Sequence, residues 1–400
     1  MIKKLLLIRL IIFINLLSSI LFVGCTKDSE PEKKDYKKVL NLSLETIKPL
    51  FINAGQAQLA GLANYSVDIY TYNYSMNYKG KPIIESGVIC VPISSGESFP
   101  VLSFQHGTIT AKNEAPSLSY NSLQSISVES LAALGYIMVF PDEIGFGASS
   151  DLFHPFLIKD ANVLAVTEML KSITEIPDGD LSGSSINDSL FLLGYSHGGW
   201  VTMATVNEIE TNNPNHWNLI AAGCGAGPYY PELVMNYALS AETYGKPYYM
   251  SYVILSFLDE GIISNELTDF YNEPYANRVP NLFDGINTGG QIDAQLTQIN
   301  ADLYTENFLN NYRKEEFQNL QNALFQNETK AWLNNTPIML THGQNDIYIP
   351  KTVSDSIYLD FLKLGSENIT YMPLPFTDHI TAAVPSIAST IIWFQNFRKQ

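Results

Sequence analysis

Residues 189–205 read SLFLLGYSHGGWVTMAT. An apolar run at 190–193 leads into Gly194-Tyr195-Ser196-His197-Gly198, then Gly199 and a stretch with helical spacing. G-x-S-x-G between a strand and a helix makes Ser196 a candidate nucleophile. A serine hydroxyl attacks well only when it is held clear of the strand and close to a base. A tight strand-to-helix turn achieves this by forcing the serine into a strained conformation. Glycines two residues to either side remove the Cβ atoms that would collide where strand and helix cross. The first N–H groups of the new helix point at the site and favour developing negative charge there. The plainer reading is a Gly/Ser turn in a parallel sheet, and the flanking sequence has to decide between the two.

Outward from this turn, apolar runs alternate with helical patterns. Runs at 100–104, 136–140, 190–193, 219–222, 338–340 and 369–372 read as buried strands. Stretches 125–134, 160–173, 352–364 and 380–397 read as helices. Such alternation specifies an α/β fold with a mostly parallel central sheet flanked by helices. Runs 65–78 and 82–92, joined through Lys79-Gly80-Lys81, read as an antiparallel hairpin that begins the sheet. Residues 40–62 read as an amphipathic helix broken at Pro49. The alternation lapses over 229–335, a Tyr-, Asn-, Gln- and Leu-rich insertion of helices and loops, and resumes at 336.

The N-terminus is a separate matter. Residues 1–9 are basic, 10–23 are apolar, and Gly24-Cys25 follows, which is the layout of a signal peptide over 1–24. It resembles a bacterial lipoprotein signal, which implies lipidation at Cys25 and an outer-membrane or cell-surface location. Residues 25–39 read as a charged tether. The net charge of −17 disfavours nucleic acid and anionic lipid as ligands. Membrane attachment is therefore expected only through the N-terminal anchor. Cys90 and Cys224 follow apolar runs and read as buried small hydrophobes, with a disulfide between them left open. No C-x-x-C or His-x-x-x-His spacing points to a metal, so none is expected.

A nucleophile on such a sheet needs its partners on loops after later strands. The run 338–340 leads into Thr341-His342-Gly343-Gln344-Asn345-Asp346, and 369–372 leads into Pro375-Phe376-Thr377-Asp378-His379. These positions make Asp346 the orienting acid and His379 the base, with Asp378 as a rival acid. His106 and His342 precede glycines in turns and suit ring stacking or loop hydrogen bonds. Asp142 and Glu143 read as turn and cap residues. For the oxyanion, the N–H of His197 is one expected donor. The second comes from the loop Phe104-Gln105-His106-Gly107-Thr108, with Thr108 preferred to Gly107.

Together these residues resemble the α/β-hydrolase superfamily, which orders its triad Ser, Asp, His along the chain as Ser196, Asp346 and His379 are ordered here. Within it the chain resembles the secretory lipase family and related bacterial esterases. The segments His154-Pro155-Phe156 and Gly225-Ala226-Gly227-Pro228 carry that likeness. The resemblance implies hydrolysis of a small-molecule ester or lipid without metal or organic cofactor. It also implies that 229–335 is a helical cap between the sixth and seventh core strands, dividing the core into 40–228 and 336–400. A serine peptidase acting on short peptides and an inactive surface-binding homologue are the competing readings.

Overall fold

A computed structural model of the chain describes residues 35–213 and 217–398. The signal peptide, Cys25 and most of the tether lie outside the described residues. A nine-stranded sheet runs in the order β1-β2-β3-β5-β4-β6-β7-β8-β9. β2 (Val67–Tyr78) and β3 (Lys81–Pro92) pair antiparallel, with Tyr78 opposite Lys81. Their two-residue link, Lys79-Gly80, has positive φ at both positions, the type I′ geometry that suits the strand twist. β4 (Ser98–Gln105), β5 (Ile137–Pro141), β6 (Ser185–Tyr195), β7 (Asn218–Gly225), β8 (Ile338–Gly343) and β9 (Ile369–Leu374) form the parallel part. β5 closes the two halves by pairing antiparallel with β3.

One expectation fails at the start of the described chain. Residues 35–42, assigned to a tether and the start of a helix, form the edge strand β1 (Asp35–Leu42) beside β2. An edge strand borrows its stability from the neighbour it pairs with, so its own polar sequence carries little signal. The helix is also broken elsewhere than at Pro49. α1 (Leu44–Asn53), capped by Ser43, runs through Pro49, and the break before α2 (Ala57–Leu62) falls at Gly55, where φ is +75°.

The sheet is buried on both faces because its central strands are apolar throughout. Along β6 the period of two sends Leu190 and Leu192 into one core and Phe191 and Leu193 into the other. The first core is closed by α4 (Lys159–Ile173) and α5 (His197–Asn212), the second by α1, α3 (Leu123–Glu129) and α11 (Ala383–Phe394). Fully burying each such side chain is worth ~1.5–3 kcal/mol. Between β7 and β8 the chain leaves the sheet for a run of helices, chiefly α6 (Pro231–Ser240), α7 (Pro247–Asp259), α8 (Tyr275–Leu282) and α9 (Gln318–Gln326). α10 (Thr352–Lys363) then connects β8 to β9. Cys90 and Cys224 are buried and unpaired. Among the described residues, no helix is long and apolar enough to cross a membrane.

Candidate active site

Ser196 sits between the end of β6 and the first residue of α5, with φ 59° and ψ −125°. This strained turn holds because its neighbours leave no alternative. A Cβ on Gly198 would collide with the carbonyl oxygen of Gln105 on β4, so only glycine lets α5 start this close to the sheet. The Ser196 N–H is tied to the Gly225 carbonyl at 2.8 Å. Because α5 begins at His197, the N–H groups of His197 and Gly198 have no earlier helical carbonyl to bond, whereas those of Gly199 and Trp200 reach the Ser196 carbonyl.

Asp346 and His379 arrive from the loops after β8 and β9. His379 lies between the other two, with Nδ1 2.6 Å from Asp346 Oδ2 and Nε2 2.8 Å from Ser196 Oγ. A carboxylate only accepts, so Nδ1 carries the proton and Nε2 presents its lone pair to the hydroxyl. The other Asp346 oxygen accepts the N–H groups of Tyr348 and Ile349, each at 2.9 Å. Burial opposes its charge, but hydrogen bonds from His342 and His379 win and hold the carboxyl at about 2. His342 is a support to this loop: Nε2 donates to the Ile349 carbonyl at 2.9 Å and lies 3.2 Å from Asp346, while Nδ1 accepts from Ser354. The Tyr195 hydroxyl donates to the His379 carbonyl at 2.6 Å and fixes the last loop. Asp378 points away: its exposed carboxylate accepts the N–H groups of Ile380 and Thr381.

Next to Ser196 lies a tight apolar slot with about 20 Å³ of free volume, room for roughly one water molecule. Thr108, Phe156, His197, Tyr249, Met250 and Val253 are among its walls. Thr108 is therefore at the slot, and Gly107 is packed close behind, where a Cβ would lie 3.9 Å from Ser196 Cβ. Tyr249, Met250 and Val253 belong to α7, so the insertion supplies part of the wall. Of the insertion's first tyrosines, only Tyr249 takes this position. Tyr229, Tyr230 and Tyr244 use their hydroxyls to bind Cys224, Asp360 and Tyr348, which makes them struts. A larger groove near Lys159, Glu208 and Trp332 reaches none of Ser196, Asp346 or His379.

A second cluster lies behind Ser196. Glu143, in the turn after β5 with φ 69°, is buried and faces three imidazoles. One of its oxygens lies 3.6 Å from His154 Nε2 and 3.8 Å from both His197 Nδ1 and His106 Nε2. None of these is a hydrogen bond. Neither Glu143 oxygen and neither His197 ring nitrogen has a hydrogen-bond partner. Burial lifts the Glu143 carboxyl to about 7, pushes His154 down to about 3 and lowers His197 strongly. The turn role expected for Asp142 matches its bonds to Ser86 and Ser117. Glu143 sits in the turn as expected, with its carboxylate buried against the three imidazoles. No short spacing connects residues 143, 154 and 197, and only the fold brings them together. Among the described residues these three are the group whose ligand atoms, all within 4.8 Å of one another, could hold a metal.

Residues 115–398 match the model of the secretory lipase family. Three solved structures share the fold. A candidate hydrolase from Legionella pneumophila aligns at TM-score 0.82 and 22% identity, over 92% of this chain and 98% of that one. The rice cell wall degrading esterase LipA from Xanthomonas oryzae aligns at 0.78 and 22%, over 90% and 96%. Candida antarctica lipase A in its closed state aligns at 0.61 and 16%, over 92% and 82%. At these identities the likeness establishes the fold alone. No curated protein sequence matches the chain.

Proposed function

The chain belongs to the secretory lipase family and is an esterase- or lipase-like hydrolase, and from this premise we propose that it cleaves carboxylic esters through an acyl-enzyme on Ser196. The observation that carries this reading is the His379 ring bridging Ser196 and Asp346 at 2.8 and 2.6 Å. His379 Nε2 takes the proton as Ser196 Oγ attacks the ester carbonyl, and Asp346 steadies the imidazolium that forms. The negative charge that develops on the carbonyl oxygen falls to the N–H of His197 and to that of Thr108 or Gly107. Collapse of this intermediate expels the alcohol, which takes its proton from His379. A water activated by the same ring then releases the acid and restores Ser196.

The insertion between β7 and β8 acts as the cap in this reading. Its contribution of Tyr249, Met250 and Val253 to the slot supports a role in choosing the acyl or alcohol group. The leader-like residues 1–24 and Cys25 support an extracytoplasmic, lipid-anchored protein.

The test is labelling with a small fluorophosphonate, followed by peptide mass spectrometry. We expect one adduct, on Ser196, together with loss of nitrophenyl ester hydrolysis. An adduct on another serine, or ester turnover that survives full labelling of Ser196, overturns the assignment. Peptide amides run beside the esters separate an esterase from a peptidase.

A further inference from the structure

We propose that Glu143, His154 and His197 bind one divalent transition-metal ion, zinc by their ligand preference, which ties the serine turn to the loop after β5. Three observations point there.

The first is the spacing. A tetrahedral zinc holds N and O ligands at ~2.0–2.2 Å, which puts the ligand atoms roughly 3.3–3.5 Å apart. The Glu143 oxygen lies 3.6 Å from His154 Nε2 and 3.8 Å from His197 Nδ1. These two edges are too long for hydrogen bonds and within a few tenths of an ångström of a coordination sphere, and the third edge, His154 to His197, lies within 4.8 Å.

The second is the direction of the lone pairs. His154 Nδ1 donates its proton to the Ile144 carbonyl at 2.8 Å. Nε2 therefore turns a bare lone pair towards a carboxylate oxygen, which is repulsive unless a proton or a cation stands between them. A backbone carbonyl on the far nitrogen is also the usual way a metal-binding histidine is oriented. The His197 ring is held by stacking on Phe156 at 4.9 Å, and neither of its nitrogens has a partner.

The third is the unmet need of the carboxylate. Buried polar atoms are almost always paired, yet both Glu143 oxygens are orphaned. Gly145, at φ +93°, lets the His154 backbone approach to where a Cβ would lie 2.6 Å from it, so the cluster is closely built. The rival source of charge is His106. Its ring nitrogens face the Gly107 and Asp142 carbonyls at 2.8 and 3.3 Å, so with both bonds made it is an imidazolium. At 3.8 Å it offers Glu143 charge but no hydrogen bond, and it leaves the His154 lone pair unexplained.

Two imidazoles and one carboxylate suit zinc or iron(II), not the oxygen-seeking magnesium or calcium. The ion would position His197 at the head of α5; it takes no part in the reaction proposed for Ser196.

The full chain, made without a polyhistidine tag, is analysed for metals by inductively coupled plasma mass spectrometry. We expect about one zinc per chain, lost on dialysis against a strong chelator. The melting temperature should then fall by ~5 °C or more and recover when one equivalent of Zn²⁺ is returned. Cobalt(II) added to the metal-free chain should give visible d–d bands that saturate near one equivalent. Glu143→Gln and His154→Ala should each bind at least ~10-fold more weakly. If the variants misfold, the cobalt titration of the unaltered chain decides alone. A folded chain that neither carries nor takes up Zn²⁺ or Co²⁺ stoichiometrically overturns the site and leaves Glu143 to His106. One equivalent of iron in place of zinc retains the site and corrects the element. Undiminished binding by both folded variants also overturns it, by placing the metal elsewhere.

Discussion

Two buried carboxylate–histidine clusters flank one turn of backbone, one reaching Ser196 and the other His197, and they solve the same electrostatic problem in opposite ways. In the first, Asp346 has donors on both oxygens, His379 at 2.6 Å and two backbone N–H groups at 2.9 Å, and its carboxyl is held at about 2. In the second, Glu143 meets imidazole nitrogens at 3.6–3.8 Å, receives no hydrogen bond, and is lifted to about 7. Burial penalises both acids, so burial does not separate them. Donors do: a buried carboxylate with its hydrogen bonds filled is a finished device, and one without them is waiting for a proton or a cation.

The largest effect tests whether the finished cluster does the chemistry. Ser196→Ala should lower ester turnover by on the order of 10⁴–10⁶ while leaving the melting temperature close to that of the unaltered chain. Turnover by the folded variant within ~10-fold of the original would move the reaction out of this cluster. The next effect tests the filled carboxylate. Asp346→Asn removes the charge that steadies the imidazolium and should cost ~10³–10⁴ in turnover. Asp378→Asn, in an exposed turn, should change turnover by less than ~3-fold, because its carboxylate binds only its own loop. Steady-state rates for the two variants side by side give the ranking, and a reversed order would assign the wrong acid.

The same contrast explains what was legible in the sequence. Ser196, Asp346 and His379 could be picked out because each follows a strand, and strand ends on a parallel sheet share one edge. Position after a strand thus stands in for position in space. Glu143, His154 and His197 have no such rule. They come from a turn, a loop and a helix start, and they meet because Gly145 lets two backbones touch. Glu143 was legible only as a turn residue. The edge strand β1 was missed for a related reason: polar residues such as Lys37 and Lys38 become a strand only when β2 is there to pair with. Inside the insertion, six tyrosines looked alike, and packing alone separates Tyr249 at the slot from struts such as Tyr229 and Tyr244.

A smaller effect separates what faces Ser196 from what stands behind it. Tyr249→Ala and Met250→Ala widen the slot from the insertion side and touch neither cluster's hydrogen bonds. Each should shift the ratio of rates between a short and a longer acyl ester by ~10- to 100-fold. Labelling of Ser196 by a small fluorophosphonate should change by less than ~3-fold, since that probe does not need the wall. A panel of nitrophenyl esters of rising chain length measures the ratio. If both folded variants keep the original profile, the insertion does not set specificity.

The smallest effect asks whether filled and unfilled carboxylates carry opposite pH signatures, and its unfilled member can be taken from outside both clusters. Glu129, at the end of α3, is 2% exposed, one of its oxygens has no partner, and burial lifts its carboxyl to about 8. Its folded value is raised, so between about pH 4.5 and 8 the native state keeps a proton that the unfolded chain has released. The stability it permits is complete below about pH 4.5, declines as pH rises to about 8 and is flat beyond. Asp346 has a lowered value, so its contribution is present above about pH 4 and is lost as pH falls through about 2. Glu129→Gln should therefore gain stability over the original chain, from near zero at pH 4.5 to on the order of 1–2 kcal/mol at pH 8. Asp346→Asn should lose a comparable amount, nearly constant from pH 5 to 8. Urea unfolding at pH 4.5, 6 and 8 reads both differences. A Glu129→Gln gain that does not grow with pH would mean that the ionised carboxylate finds a donor, and the division between filled and unfilled acids would then fail at its simplest case.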